Sequence, residues 1–326
     1  MPENSKTQIM TNRMAPAARP ESQYFNRYGS DWESALKDFC KREVYIDATG
    51  NTYKKALTQY FKWLDKTGVS FDAANDDRIL DFRKHLFDKR GCASTTISLY
   101  ISAIRSFYQW AEDKHLCENV ARGIHARCDK ERVKMHLTKE QTKALLDYFE
   151  STSLRDFAMV NLMLRCGLRT IEVSRADVED MKPSGGQQVL YIQGKGHRDK
   201  KRIVVLRDAA LEPIRRYLES RGEVAAKDPL FVCEGKGSKG RRLSARRIQT
   251  VCKEGLRAIG LDSHEYSPHS LRHTAGVRII NNGGTVADVQ DVLGHSSIDT
   301  SRIYLKSAQT EIRLSNPAER FLDDID

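Results

Sequence analysis

The 326-residue chain is long enough for two domains, since one domain usually takes about 100–200 residues. No apolar run approaches the roughly 20 residues that span a bilayer, so no membrane partner is expected. A net charge of +10 favours a polyanionic partner, because basic surfaces neutralise phosphates and release counterions.

Residues 1–29 are polar and rich in Pro and Ala, without the apolar core of a signal peptide. They read as a disordered extension of a cytoplasmic protein. From Ser30 to Leu116 four amphipathic helical patterns follow. The first opens on a capping box, Ser30-Asp31-Trp32-Glu33, and turns Trp32, Leu36 and Phe39 to one side. The second carries Tyr53, Leu57, Tyr60, Phe61 and Leu64, close to the i, i+4, i+7 spacing of a helix face. The third, 77–89, has Ile79, Leu80, Leu86 and Phe87; the fourth, 95–111, has Ile97, Ile101, Ile104, Phe107 and Tyr108. Lys54, Lys55, Arg83, Lys84 and Arg105 either face phosphates or form a solvated surface.

Residues 117–136 lack periodicity and carry Arg122, Arg127, Lys130, Arg132 and Lys134, which reads as a basic connector. A second domain, 137–306, opens with Thr138 as N-cap and Gln141 three residues into a helix bearing Leu145, Leu146 and Phe149. Leu154–Cys166 is an apolar helical run closed by Gly167. Residues 189–192 and 203–206 read as strands joined through Gly194 and Gly196. The fold class expected is mainly α with a small antiparallel β-sheet. The seven cysteines include no C-x-x-C pair, so neither zinc nor disulfides are expected.

Toward the C-terminus, Ser267 and Pro268 mark an N-cap and first helical position, which puts His269 and Arg272 three apart on one helix face. Thr285 with Asp288, and Ser296 with Asp299, read as two capping boxes, with Gly294 closing the first helix. His295 then lies in the turn between them, near a helix N-terminus where an anion is welcome. Tyr304 follows nine residues later. Cations, imidazoles and a phenol are the inventory needed to attack a phosphodiester with a side-chain oxygen.

Four motifs occur in order: Gly167-Leu168-Arg169-Thr170-Ile171-Glu172, Gly194-Lys195-Gly196, His269-Ser270-Leu271-Arg272-His273, and Leu293-Gly294-His295-Ser296-Ser297 followed by Tyr304. With them, residues 137–306 resemble the catalytic domain of the tyrosine recombinase (phage integrase) family. Residues 30–116 resemble its helical, SAM-like core-binding domain. In length and layout the chain is most similar to Xer-like recombinases and mobile-element integrases. The resemblance implies a site-specific DNA recombinase in which Tyr304 attacks the scissile phosphate, forming a 3′-phosphotyrosyl bond. Arg169 and Arg272 would clamp the non-bridging oxygens, Lys195 would protonate the leaving 5′-oxygen, His269 would accept the tyrosine proton, and His295 would hydrogen-bond a phosphate oxygen. Glu172 would orient Arg169, and His273 would serve packing.

Lys200 and Lys201 compete with Lys195 for the acid role or contact the DNA backbone; Arg241 and Arg242, in the basic stretch from Lys236 to Arg247, either contact DNA or belong to a flexible solvated loop. The resemblance implies no cofactor, metal or ATP. It further implies a homotetramer on two double-stranded DNA sites, a Holliday-junction intermediate, accessory DNA-bending proteins as further partners, and action at the nucleoid. Residues 307–326, with Ile312, Leu314, Phe321 and Leu322, would pack either on their own chain or on a neighbouring subunit. Two rivals keep parts of this reading: a type IB topoisomerase that relaxes supercoils, and a non-catalytic DNA-binding regulator.

Overall fold

The structure is a computed structural model and describes residues 24–42, 48–125, 135–194, 199–235, 237–295 and 297–315. The chain divides into two units between Glu131 and Arg132, a junction outside those residues.

The first unit holds α1 (Trp32–Cys40), α2 (Ala48–Lys66), α3 (Asp76–Asp88) and α4 (Ser94–Asp113). α1 starts one residue later than its expected capping box: Asp31, not Ser30, is the N-cap and accepts the Ser34 N–H. The apolar spacings of all four sequences meet in one aromatic core, in which Phe61 and Phe107 pack edge to face with centroids 4.8 Å apart. Such pairs add about 0.5–1.5 kcal/mol beyond the area they bury. Two phenols go into this core with their hydroxyls satisfied. Tyr60 and Tyr108 bond each other at 3.2 Å, and Tyr108 donates to the Phe71 carbonyl at 2.8 Å.

The edges of this unit differ from the sequence-based boundaries. Residues 1–23 lie outside the described residues, but 24–29 are tied down. Tyr28 donates to Asp38 at 2.6 Å, and the Phe25 N–H donates to the His115 carbonyl at 2.7 Å. Beyond α4, Cys117, Ala121 and Ile124 are buried in the same core, so the first part of the expected connector belongs to this unit.

The second unit begins with α5 (Lys139–Thr152), whose capping box between Thr138 and Gln141 is present. α6 (Leu154–Cys166) is buried along nearly its whole length and packs against α5, α8 (Asp208–Arg221) and α10 (Pro268–Asn281). Between α6 and α8 come the short α7 (Thr170–Arg175) and an antiparallel sheet in the order β1 (Met181–Ser184), β2 (Gln187–Ile192), β3 (Arg202–Val205). β2 and β3 pair Val189 with Val205 and Ile192 with Arg202. β1 was not expected from sequence; its Pro183 is tolerated because the strand is an edge. α9 (Ala245–Ala258), α11 (Val286–Leu293) and α12 (Asp299–Ser315) complete the unit.

α12 runs unbroken past residue 306, so the residues expected to start a separate tail continue the helix that carries Tyr304. Leu314 is exposed near its end; the side chain of Ile312, and Phe321 and Leu322, lie outside the described residues. Cys117, Cys166 and Cys252 are core thiols, pushed up to about 12 by burial, and therefore unreactive at neutral pH. No helix among the described residues is long and apolar enough to cross a membrane.

Candidate active site

The site is organised around one buried carboxylate. α6 stops at Gly167, and Arg169 becomes the N-cap of α7. That places Glu172 at the third position of α7, where its carboxylate accepts the Arg169 N–H and the Arg169 guanidinium, both at 2.8 Å. The Glu172 side chain is wholly buried, and a buried charge persists only when it is paired. Arg202 from β3 approaches Glu172 Oε2 at 2.9 Å, as an ion pair rather than an aligned hydrogen bond. Arg272 from α10 stands 4.0 Å away. One carboxylate against three guanidiniums leaves two positive charges uncompensated. An oxyanion about 4 Å from one of them gains roughly 4 kcal/mol at the effective dielectric of a protein surface.

Arg272 is held from both sides. Its Nη1 donates to the Gly167 carbonyl at 2.6 Å and its Nη2 to the Leu293 carbonyl. Burial, and then repulsion from Arg169, depresses its guanidinium to about 10. It remains charged at neutral pH, and an anion would relieve both penalties.

Tyr304 reaches this cluster because α12 turns Ser301, Tyr304 and Ala308 toward α10 and α11, a helical i, i+3, i+7 face. The ring packs against two imidazoles, with centroids 4.8 Å from His273 and 5.8 Å from His295. It rests on the backbone of Gly276, where an added Cβ would fall 2.4 Å from Tyr304 Cδ1. Burial raises the phenol above the ordinary tyrosine range, while Arg272 and Arg169 pull it back. The neutral phenol therefore dominates at neutral pH, next to the charges that would stabilise its anion.

The capping box of Thr285 and Asp288 opens α11, and Gly294 closes it in the left-handed conformation, φ 61°. His295 follows, its Nδ1 2.8 Å from the Oγ of Ser301, which fixes the ring plane. Ser296 lies outside the described residues; the Asp299 N–H instead bonds the Ser297 hydroxyl at 3.3 Å. Beside these groups opens a cleft of ≈ 470 Å³ whose lining includes Arg169, Glu172, Lys201, Arg202 and His295, with Arg272 and Tyr304 behind it.

Arg169, Glu172, Arg272, His295 and Tyr304 are thus brought together. Lys195 lies outside the described residues, but the flanking Gly194 and Asp199 both line the cleft. His269 is exposed on the first turn of α10, one turn before Arg272 and outside the cleft lining. Two of the expected DNA contacts have acidic partners within the fold. Lys200 bonds Asp177 at 2.7 Å and Asp180 at 2.5 Å. Arg242 bonds Asp177 and the carbonyls of Ser174 and Ala176. Both cations are ion-paired within the fold, and Arg242 keeps 40% of its side chain exposed. Arg241 is exposed, and Lys201 is exposed on the cleft rim beside Asp199 at 2.7 Å.

Sequence reasoning missed Arg202, whose only signal was a charged residue at the start of an apolar strand. The basic stretch read from sequence as ending at Arg247 continues along α9, where Arg246 shares a surface hollow with Lys253, Glu254 and Arg257. Among the described residues no group of three His, Cys, Asp or Glu side chains gathers to hold a metal ion.

Comparison with known proteins accords with this geometry. The phage integrase family matches residues 135–311, and the phage integrase N-terminal SAM-like domain matches residues 36–115. The tyrosine recombinase XerC of Actinobacillus pleuropneumoniae serotype 7 (strain AP76) is 31% identical over 259 residues, 78% of this chain and 82% of the relative. The tyrosine recombinase XerD of Oceanobacillus iheyensis (strain DSM 14371) is 30% identical over 297 residues, 86% and 96% of the two chains. Among solved structures, the XerH site-specific recombinase bound to a palindromic difH substrate, in a post-cleavage complex, has a TM-score of 0.68. It is 20% identical and covers 88% of this chain and 84% of its own, which shows the shared fold. This chain belongs to the phage integrase family of tyrosine recombinases.

Proposed function

We propose that this protein is a site-specific DNA recombinase that cleaves and rejoins double-stranded DNA through a 3′-phosphotyrosyl bond at Tyr304. The observation that carries the reading is a buried phenol acted on by two guanidiniums, Arg272 and Arg169, beside a cationic cleft. The Tyr304 oxygen attacks phosphorus, the bond to the 5′-oxygen breaks, and that oxygen leaves as a hydroxyl. Arg169, Arg272 and His295 stabilise the charge gathering on the non-bridging oxygens, where each preorganised donor is worth about 10²–10³ in rate. Arginine suits the task because its planar fork stays charged and meets two oxygens at once.

The proton inventory needs two further groups, because burial keeps Tyr304 neutral. His269, on the helix of Arg272, takes the phenolic proton. Lys195, in the loop whose flanks reach the cleft, gives one to the leaving oxygen, a role worth about 10²–10⁴. The phosphotyrosyl bond retains the energy of the phosphodiester, so attack by a new 5′-hydroxyl reseals the strand without ATP.

The partner is a DNA duplex bearing a recombination site, and two such duplexes are joined in a homotetramer that exchanges one pair of strands at a time through a Holliday junction. Accessory DNA-bending proteins assist, and the setting is a mobile element acting at the nucleoid in the cytoplasm. The DNA-bound XerH relative supports DNA as the partner. The helix extending through α12 to Ser315, with Leu314 exposed, is offered to a neighbouring subunit in that assembly. The test is a plasmid with two copies of the site recovered by covalent selection from a random-sequence duplex pool. Wild type should give recombinant circles and Tyr304→Phe none. Relaxation of any supercoiled plasmid without exchange would overturn the reading in favour of a topoisomerase.

A further inference from the structure

Arg202 joins three elements on one side chain. It stands at the start of β3, its Nη2 faces Glu172 of α7 at 2.9 Å, and its Nη1 donates to the Val292 carbonyl in the last turn of α11 at 2.8 Å. Carbonyls in a helix's last turn have no partner within the helix, and positive charge is favoured there. The next carbonyl, Leu293, is taken by Arg272. The backbone run 292–293 is therefore gripped by two guanidiniums that share one carboxylate. Gly294 completes the fit: an added Cβ would fall 2.6 Å from Arg202 Cδ and 2.7 Å from its Nε, so only glycine lets the guanidinium lie across this turn. The residue that leaves the gripped run is His295, with Nδ1 fixed by Ser301 and its ring facing Tyr304.

We propose that Arg202 is a positioning residue for strand cleavage: by anchoring Val292 and packing on Gly294, it sets where the His295 imidazole stands in the cleft. The inference rests on the recombinase reading above. Arginine suits the place because its planar fork carries two nitrogens apart, one toward Glu172 and one toward Val292, whereas a lysine ammonium is a point charge on a flexible stem.

The test is single-turnover covalent attachment to a nicked duplex carrying the site recovered from the random-sequence pool, alongside DNA affinity and melting temperature. The variants are Arg202→Ala, Arg202→Lys, Gly294→Ala, His295→Ala, and the first and third each combined with His295→Ala. Displacing a catalytic group by about 1 Å costs on the order of 100-fold. Arg202→Ala and Gly294→Ala should therefore slow attachment at saturating DNA about 10- to 100-fold, with affinity unchanged within about twofold. Arg202→Lys should not restore the rate. In the His295→Ala background both changes should cost less than about twofold more.

Two results overturn the proposal while leaving the recombinase reading intact. One is an Arg202→Ala rate equal to wild type. The other is an equal loss with and without His295, which would mark a direct phosphate contact or general destabilisation. If wild type attaches to no duplex in the pool, the recombinase reading fails and this inference with it.

Discussion

Gly276→Ala probes the placement of the nucleophile without touching a reacting group. In the structure the new Cβ would lie 2.4 Å from Tyr304 Cδ1 and 2.5 Å from Cε1, where carbon atoms settle at about 3.5–4.0 Å. The ring must therefore retreat by roughly 1 Å. It has little room, because the His273 and His295 rings both pack against it. Overpacking of this kind destabilises by about 1–3 kcal/mol, or roughly 2–12 °C of melting temperature for a unit of this size. The same displacement at a reacting atom costs about 100-fold in rate. Single-turnover attachment to a nicked duplex, measured well below the melting transition, should fall by about that factor while DNA affinity holds. A folded Gly276→Ala protein that attaches at the wild-type rate would refute the reasoning, because Tyr304 would then react from somewhere other than its seat on α10.

Three further outcomes follow from the charge cluster. Glu172→Gln leaves Arg272, which is 3% exposed in its side chain, without its buried counter-charge; urea unfolding should show a loss of about 3–5 kcal/mol, and a loss below about 1 kcal/mol would remove Glu172 as the organising group. Inorganic phosphate should raise the melting temperature, by about 2.7 kcal/mol of stabilisation at a hundred times its dissociation constant. The part of that shift due to the cleft should vanish in Arg169→Ala. Attachment should not fall between about pH 7 and 9, because Arg272 keeps its charge there: its value, lowered by burial and then by repulsion from Arg169, rises again once a phosphate sits against it. The sign follows from the anion, which favours the charged guanidinium. A rate that drops steeply across that range would contradict that role.

Local signals were legible in the sequence wherever neighbours along the chain decide the outcome. Thr138 with Gln141, Thr285 with Asp288, and Pro268 after Ser267 mark helix starts that the structure contains. Gly294 marks a helix end for the same reason. Relationships set by distant partners were not legible. Arg202 reads as a strand residue until Val292, 90 positions later, is seen to accept its hydrogen bond. Lys200 and Arg242 read as unpaired basic residues until Asp177 is found between them. The end of α12 was misjudged because the motif stops soon after Tyr304 while the helix continues to Ser315. β1 was missed because Met-Lys-Pro-Ser has no strand alternation and owes its conformation to pairing with β2.

The central claim is that Tyr304 itself becomes bonded to DNA. After incubation with a nicked duplex and complete nuclease digestion, tandem mass spectrometry of the proteolysed chain tests it directly. The expected result is a nucleotide 3′-phosphate on the peptide bearing Tyr304, absent from Tyr304→Phe. An adduct on any other residue, or a 5′-phosphate on Tyr304, would contradict the account.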